Sequence, residues 1–266
     1  MTDEMRNIIK NLFEPEELYF DEPMRLHTSF KIGGPATVFF VPSTVEHIKS
    51  MIDLCTDKNI PFYIMGNGSN LLVGDSGYDG VIIQVYKNLS AWSIKGQVVE
   101  AEAGILLSKL ANRIYDAGLA GFEFASGIPG TLGGAVYMNA GAYGGEMKDV
   151  LISATVLTRA GVIYNIDNEA LDLGYRHSVL MVRGDIVLSA KIRLEYGEPV
   201  AVRGLMDELN KKRKDKQPVE KPSAGSTFKR PVGYYAGKLI MDAGLRGYQI
   251  GGARVSDKHC GFIINT

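Results

Sequence analysis

The chain is poor in the residues that mark several protein classes. Its 266 residues include only two cysteines, Cys55 and Cys260, which lie far apart without a CxxC spacing. Neither a zinc site nor a disulfide framework is indicated, and a reducing cytoplasm is the expected location. The four histidines also lack metal-ligand spacing, so we predict that no metal is bound.

Long apolar runs and a net charge are absent as well. No segment approaches the ~20 apolar residues that a membrane helix needs, and "MTDEMRNIIKNLF" at the start mixes charges and amides where a signal peptide is apolar. The formal net charge of −1 provides no general attraction for phosphate backbones. We therefore expect a soluble protein that has neither a membrane nor a nucleic acid as its partner.

Glycine, in contrast, is abundant. The chain has 31 glycines without a collagen-like period, next to an ordinary hydrophobic content of 45% and charged content of 22%. Glycine at this level indicates many tight turns, or places where the backbone approaches a ligand closely. The length allows a large core and one to three domains.

The pattern of apolar residues predicts more strands than helices. Strands are predicted over residues 37–41, 60–65, 80–85, 98–102, 154–158, 185–196 and 260–265, and helices over residues 45–59, 106–118 and 201–216. Ser43 and Glu46 have the spacing of a capping box before the first helix. The order lacks a regular strand and helix alternation, which favours an α+β fold.

Two loops concentrate the glycines. "MGNGSNLLVGDSG" (65–77) fits neither a GxGxxG nor a Walker A template, yet its closely spaced amides could form an anion-binding concavity. Alone, it could equally be an elaborate turn. "SGIPGTLGGAVYMNAGAYGG" (126–145) holds seven glycines, where a hairpin needs one or two. Two such loops favour a dinucleotide cofactor over purely structural turns.

A third stretch, "PSAGSTFKRP" (222–231), places a serine after a basic tract, where a simple turn is the usual explanation.

The sequence resembles the UDP-N-acetylenolpyruvoylglucosamine reductase family. Four segments carry the resemblance, in this order along the chain: "GNGSNLLVGDSGYDGVII", "GIPGTLGGAVYMNAGAYG", "YRHS" and "AGSTFK". The resemblance extends from residue 27 to residue 266. Within this resemblance, the glycine loops specify the cofactor FAD and the fold of the family. The combination of "YRHS" with "AGSTFK" specifies the reductase.

The resemblance implies a fold and a reaction. The fold would be α+β, with a two-part FAD-binding domain of the PCMH/vanillyl-alcohol-oxidase type (1–86 and 87–199) and a smaller α+β substrate-binding domain (200–266). The reaction would be the NADPH-dependent, FAD-mediated reduction of UDP-N-acetylglucosamine enolpyruvate to UDP-N-acetylmuramate for peptidoglycan synthesis. We expect a cytoplasmic monomer. The chain would belong to the shorter subtype of the family, because no long insertion follows "YRHS".

The resemblance also assigns roles to individual residues. Ser226 would be the general acid that protonates the substrate carbon, and Arg176 would polarise the substrate carboxylate. Lys216 would contact the diphosphate, with Tyr175 and Arg230 as further substrate-binding residues, although many relatives have asparagine in place of Arg230. The cofactor-binding residues would be Gly66, Asn67, Gly68, Ser69, Asn70, Pro129, Gly130, Gly133, Gly134, Asn139 and Gly141. His177 and His259 are expected to be structural.

One part of the family pattern is missing. The family uses a glutamate near its C-terminus as a third catalytic residue, and this sequence ends at "HCGFIINT" before that segment. We therefore expect a truncated chain with impaired activity and an exposed strand at residues 260–265. Two alternatives stay open: an FAD oxidase of the same fold acting on another alcohol or sugar, and a non-catalytic fragment that binds flavin or a nucleotide sugar.

Overall fold

Two compact units are each formed by discontinuous stretches of the chain. The computed structural model describes residues 1–266. Unit 1 comprises Met1–Glu22, Ala36–Asn67 and Asp79–Leu209, and unit 2 comprises Pro23–Pro35, Gly68–Tyr78 and Asn210–Thr266. The predicted domains are continuous stretches of the chain, at residues 1–86, 87–199 and 200–266, and this division stays a prediction.

Strands outnumber helices, as the sequence predicted. The helices are α1 (Asp3–Leu12), α2 (Val45–Asp57), α3 (Leu107–Asp116), α4 (Leu132–Tyr137), α5 (Met147–Val150), α6 (Val179–Arg183), α7 (Pro199–Lys216) and α8 (Ala236–Asp242). The strands are β1 (Leu18–Pro23), β2 (Pro35–Phe40), β3 (Phe62–Met65), β4 (Tyr78–Gln84), β5 (Trp92–Lys95), β6 (Val98–Glu102), β7 (Leu119–Ala120), β8 (Gly141–Ala142), β9 (Gly145–Glu146), β10 (Leu151–Leu157), β11 (Ile163–Asp167), β12 (Ile186–Arg193), β13 (Glu195–Tyr196), β14 (Gln249–Ile250), β15 (Ala253–Val255) and β16 (Ile263–Asn265). None of the helices combines the length and apolar character needed to cross a membrane.

The N-terminal part of unit 1 is a four-stranded sheet in the order β1-β2-β4-β3. α2 connects β2 to β3, and its buried side chains, Ile48, Met51, Ile52 and Cys55, recur at helical spacing. β3 and β4 are parallel. Because parallel strands end at the same edge of a sheet, the first glycine loop starts beside the end of β4.

A five-stranded antiparallel sheet in the order β11-β10-β12-β6-β5 forms the second part of unit 1. Three buried alanines are neighbours across its middle strands, since Ala154 lies opposite Ala190 and Ala190 lies opposite Ala101. α4, which belongs to the second glycine loop, contacts β12 and β6. The sheet therefore supports the loop directly.

Unit 2 contains a small antiparallel sheet in the order β14-β15-β16. The predicted exposure of residues 260–265 is wrong, because Phe262 and Ile264 are buried and β16 pairs with β15. Asn265 also donates hydrogen bonds from its backbone N–H to the Pro222 carbonyl oxygen at 2.9 Å and from Nδ2 to the Phe30 carbonyl oxygen at 3.0 Å. These contacts hold the strand in place.

The start of α2 is organised by a buried carboxylate. The predicted capping box of Ser43 and Glu46 is wrong: Thr44 caps the helix, and its hydroxyl accepts a hydrogen bond from the His47 N–H at 3.1 Å. The Ser43 N–H donates instead to Glu17, which is 2% exposed. His47 Nδ1 lies 2.8 Å from the same carboxylate. Burial alone would raise the pKa of Glu17, but the hydrogen bonds from His47 and Ser43 outweigh it and lower the pKa.

Replacing this carboxylate should weaken unit 1 in a pH-dependent way. We expect Glu17→Gln to lower the free energy of unfolding at pH 7 by about 1 to 3 kcal/mol, the usual contribution of hydrogen bonds to a buried charge. Folding lowers the pKa of Glu17, so the stabilisation by its carboxylate is complete at pH values above the unfolded pKa of about 4.3. This stabilisation is lost as the pH falls through the folded pKa of Glu17. Urea unfolding followed by circular dichroism, repeated between about pH 3 and about pH 7, measures how the free energy of unfolding depends on pH.

The neighbouring exposed residue Glu16 supplies the control. Glu16→Gln removes the same charge and should leave the unfolding free energy within about 0.5 kcal/mol of wild type. An equal loss in both variants, or a Glu17→Gln difference that persists at acid pH, would contradict the assignment.

Candidate active site

The first glycine loop begins where β3 and β4 end side by side, with Met65 opposite Gln84. The buried Gln84 side chain donates a hydrogen bond from Nε2 to the carbonyl oxygen of Gly66 at 3.3 Å. Because this bond fixes the orientation of the amide, the other amide atom, Oε1, must be the acceptor. Oε1 is buried and has no hydrogen-bond partner in the protein.

The two glycine loops contact each other at Gly66. A Cβ atom on this residue would collide with Oγ1 of Thr131, so only glycine fits here. Beside it, Nδ2 of Asn67 donates a hydrogen bond to the carbonyl oxygen of Pro129 at 2.9 Å. The structure therefore brings together these predicted residues of the two loops.

The second loop is fixed to the end of β6. The Gly133 N–H donates to the carbonyl oxygen of Ala103 at 2.8 Å, and a Cβ on Gly133 would lie 2.7 Å from the Cβ of Ala103. The carbonyl oxygen of Gly130 accepts a hydrogen bond from the first residue of α3 at 3.0 Å. Thr131 caps α4, accepting a hydrogen bond from the Gly134 N–H at 3.4 Å. The loop is thus held by backbone contacts on both sides.

The remaining residues of the first loop belong to unit 2. The carbonyl oxygen of the buried Gly68 accepts a hydrogen bond from the Ser29 N–H at 3.1 Å. The Ser29 hydroxyl donates a hydrogen bond to the Ser223 carbonyl oxygen at 2.6 Å. Ser69 is half-buried and Asn70 is exposed. Within unit 2, this part of the loop is therefore tied to the segment that precedes the candidate catalytic serine.

Asn139 is buried, and its side chain is bonded to protein on both sides. Nδ2 donates to Oε2 of Glu146 at 2.8 Å and to the carbonyl oxygen of Gly174 at 3.1 Å. Oδ1 accepts a hydrogen bond from the Lys148 N–H at 3.0 Å. Gly141 lies opposite Glu146 in the β8-β9 pair, again without room for a Cβ. Asn139 therefore organises the loop with its amide, and a cofactor contact through that amide stays a prediction.

Tyr175 and Arg176 form the tip of a tight turn. Gly174 and His177 flank the tip and exchange backbone hydrogen bonds of 3.1 and 3.2 Å. The backbone of Arg176 is left-handed, with φ of 54°. The guanidinium carbon lies 5.2 Å from the ring centroid of Tyr175, in the range of a cation–π contact. Both side chains thus project from the same short turn.

Ser226 lies in unit 2 on a segment paired with the chain just before β16. Its backbone forms an isolated antiparallel bridge with Phe262. The following residue, Thr227, donates a backbone hydrogen bond to the Gly261 carbonyl oxygen at 2.8 Å and accepts one on Oγ1 from the Ile263 N–H at 3.3 Å. Ser226 itself is exposed. The backbone is therefore fixed while the hydroxyl is accessible.

The two predicted basic substrate residues are also exposed and belong to unit 2. Lys216 is the last residue of α7, whose final turn also contains Arg213 and Lys214. The guanidinium carbon of Arg230 lies 4.1 Å from the ring centroid of Tyr235. Such stacking restricts a long side chain without removing its charge.

The two histidines near the predicted site residues have local partners. His177 Nε2 lies 3.5 Å from a carboxylate oxygen of Asp172. His259 Nδ1 accepts a hydrogen bond from the Gly261 N–H at 3.1 Å, and its ring packs edge-on against Phe262. Both contacts are local to the turn that carries each histidine, and the structural role expected for both stays a prediction.

The sequence did not point to several residues that shape the site. Gln84 and Thr131 act on Gly66 through tertiary contacts, and Ser178 bonds to the end of α4. The local signals are weak: a glutamine that ends the apolar strand "GVIIQ", and a threonine before "LGG" at a helix start. Neither signal identifies its partner.

The residues of the two loops fit a polar dinucleotide. Gly66 lets the first loop approach the Thr131 side chain of the second loop, and Gly133 lets the second loop approach Ala103, because a Cβ at either position would collide. Oε1 of Gln84 is a buried acceptor that the protein does not use. Buried polar atoms without partners are rare in proteins and call for a specific explanation. A bound polar group at the loop supplies one.

Two protein families match the chain. Residues 36–167 match the family described as "FAD binding domain". Residues 217–266 match the family described as "UDP-N-acetylenolpyruvoylglucosamine reductase, C-terminal domain". The first match includes both glycine loops, and the second match includes Ser226 and Arg230.

The solved structures that resemble the chain support the same fold. UDP-N-acetylenolpyruvylglucosamine reductase from Thermus caldophilus is 36% identical, with a TM-score of 0.81 over 91% of this chain and 86% of that chain. A solvent-stable cholesterol oxidase is 16% identical, with a TM-score of 0.55 over 70% of this chain and 39% of that one, and shows a shared fold only. The predicted α+β class with an FAD-binding domain of the PCMH/vanillyl-alcohol-oxidase type is confirmed.

Curated relatives match nearly the whole chain. UDP-N-acetylenolpyruvoylglucosamine reductase of Caldanaerobacter subterraneus subsp. tengcongensis is 52% identical over 97% of this chain and 85% of the relative. The enzyme of the same name from Lachnoclostridium phytofermentans is 50% identical over 98% of this chain and 87% of the relative. At this identity and coverage, the chain belongs to the UDP-N-acetylenolpyruvoylglucosamine reductase family of FAD-binding oxidoreductases.

Proposed function

We propose that the protein catalyses the NADPH-dependent reduction of UDP-N-acetylglucosamine enolpyruvate to UDP-N-acetylmuramate. The observation that carries the proposal is that one chain joins an FAD-binding domain at residues 36–167 to a reductase C-terminal domain at residues 217–266. The backbone of residues 66–70 and 129–134 would hold the cofactor. The chemistry that bound FAD supplies is two-electron transfer from NADPH to the enolpyruvyl double bond.

Arg176 would act on the substrate carboxylate. A guanidinium is planar and positively charged and matches a carboxylate, so it can stabilise negative charge that develops next to the reacting carbon. The turn at Gly174–His177 and the neighbouring Tyr175 ring limit the positions of the guanidinium before substrate arrives. This preorganisation is what electrostatic catalysis requires.

Ser226 would donate the proton that completes the reduction. A hydroxyl is a weak acid, which suits donation to a strongly basic, carbanion-like carbon when water is kept away. The backbone bridge to Phe262 fixes the residue, and its exposed side chain can reach a ligand. The hydroxyl oxygen would then recover a proton from solvent after product release.

Lys216 and Arg230 would bind the UDP part of the substrate. Both are exposed cations of unit 2, and the final turn of α7 adds further positive charge around Lys216. A diphosphate presents oxygens to which such groups bind strongly. Tyr175, at the tip of the turn in unit 1, would provide an aromatic face for the substrate.

The first test is spectroscopic. We expect the purified protein to be yellow, or to take up added FAD, and to oxidise NADPH steadily only when UDP-N-acetylglucosamine enolpyruvate is present. Stopped-flow absorbance measures the reduction of the flavin, and NADPH fluorescence measures the oxidation of NADPH. Oxygen consumption with an alcohol or sugar and no NADPH would favour an oxidase, flavin that NADPH does not reduce would favour a binding fragment, and a colourless protein that takes up no FAD would contradict the proposal.

The second test removes the candidate acid. We expect Ser226→Ala to lower kcat for the enolpyruvyl substrate by about 10²- to 10⁴-fold, the usual contribution of general acid catalysis. The rate at which NADPH reduces the bound flavin should stay within about twofold of wild type, because that step needs no proton from Ser226. Single-turnover measurements of the two half-reactions separate these effects.

The internal control for this variant is the flavin half-reaction itself. A matched control is Ser90→Ala, which removes the hydroxyl of a half-buried serine that donates to the Lys87 carbonyl oxygen at 2.8 Å in unit 1. Ser90→Ala should change neither half-reaction. Unchanged turnover in Ser226→Ala, or equal loss in both half-reactions, would refute the role of Ser226 as general acid.

A further inference from the structure

The turn that carries Arg176 has a backbone that needs support from its surroundings. Arg176 is a non-glycine residue with a left-handed φ of 54°. Such conformations are disfavoured by the Cβ atom and persist where neighbouring contacts determine them. The two hydrogen bonds between Gly174 and His177 close the turn but do not attach it to the rest of unit 1.

Two buried side chains make that attachment, one at each end of the turn. Nδ2 of Asn139 donates a hydrogen bond to the carbonyl oxygen of Gly174 at 3.1 Å. The hydroxyl of Ser178 donates a hydrogen bond to the carbonyl oxygen of Tyr137 at 2.6 Å. Asn139 is 1% exposed and Ser178 is 0% exposed. We call this pair of hydrogen bonds, between residues 137–139 and 174–178, the turn clamp.

The hydroxyl of Ser178 has no competing local role. Ser178 is the N-cap residue of α6, where a serine side chain usually accepts a hydrogen bond from the helix backbone, but here it makes no such bond. Its hydroxyl is directed to Tyr137, the last residue of α4. The side chain therefore serves the contact between the two segments and not the helix that it starts.

The other end of the turn clamp is equally committed. Asn139 itself has a left-handed φ of 42°, and both hydrogens of its amide are used, one by Glu146 and one by Gly174. Because α4 belongs to the second glycine loop, the turn clamp connects the predicted cofactor loop to the predicted substrate-carboxylate residue. Both segments lie in unit 1.

We propose that Ser178 and Asn139 are positioning residues of the reductase reaction, which hold the Tyr175–Arg176 turn so that the guanidinium is placed for the substrate carboxylate. The proposal rests on the proposed role of Arg176. Neither residue touches the substrate; each acts through the backbone of the turn. A displacement of about 1 Å in a positioned group can reduce a rate by about 100-fold.

The turn clamp is tested with Ser178→Ala, because this change removes one hydroxyl and leaves the second glycine loop intact. We expect kcat/KM for UDP-N-acetylglucosamine enolpyruvate to fall about 10- to 100-fold. The dissociation constant of FAD and the rate of flavin reduction by NADPH should stay within about twofold of wild type, since neither depends on Arg176. Ser90→Ala, which removes a comparable serine-to-carbonyl hydrogen bond in an exposed turn, is the control.

A double-mutant cycle distinguishes positioning from a merely structural role. In an Arg176→Ala background, Ser178→Ala should lower kcat/KM by less than about twofold, because the group that it positions is gone. Hydrogen exchange at the Gly174 and His177 amides should be faster in Ser178→Ala than in Ser90→Ala. If Ser178→Ala is not recovered folded, Ser178→Cys keeps a weak donor of similar size and should show a smaller loss of the same kind.

The outcomes separate failure of this proposal from failure of the proposed function. Equal losses in the Arg176→Ala and wild-type backgrounds, or an unchanged kcat/KM in Ser178→Ala, would overturn the positioning role while the reductase assignment stands. A wild-type protein that does not reduce the enolpyruvyl substrate would overturn the proposed function, and the positioning role with it.

Discussion

The close approach of the Gly66 backbone to the Thr131 side chain is the constraint on which the candidate active site depends. The Thr131 hydroxyl occupies the place that a Cβ on Gly66 would take, and Gly133 is pressed in the same way against Ala103. The first loop is therefore in contact with a segment that is itself bonded to the end of β6 and continues into α4. Because neither glycine carries a Cβ, both loops can pack closely against their neighbours, whereas a side chain at either position would have to displace Thr131 or Ala103.

The fold could be predicted where local sequence determines it. β6 occupies residues 98–102 as expected, and α2 buries the apolar face that its periodicity indicated. The cap predicted for α2 was wrong for a non-local reason. Glu17, 26 residues before Ser43, accepts a hydrogen bond from the Ser43 N–H, and Thr44 caps the helix instead. A capping motif gives no information about a carboxylate that arrives from elsewhere in the chain.

The sequence indicated the two glycine loops, but it did not indicate the protein contacts that single residues in and around them make. Gly66 is explained by contact between protein segments, although the sequence suggested space for a ligand. Asn139 was expected at the cofactor, and its amide is bonded to protein. Gln84 and Ser178 carry no recognisable motif, since each matters only through a carbonyl oxygen that the fold brings to it. Tertiary hydrogen bonds of this kind have no sequence periodicity.

Arg176 and Ser226, the two residues proposed to act on the substrate, illustrate two ways of fixing a side chain. An arginine side chain rotates about several bonds, so a fixed backbone still leaves its guanidinium mobile, and the Tyr175 ring 5.2 Å away provides the additional restraint. A serine hydroxyl is placed by a single torsion with three staggered states, so the backbone bridge to Phe262 is nearly sufficient. This difference explains why buried side-chain hydrogen bonds accumulate at the ends of the arginine turn, whereas backbone pairing alone supports the exposed serine.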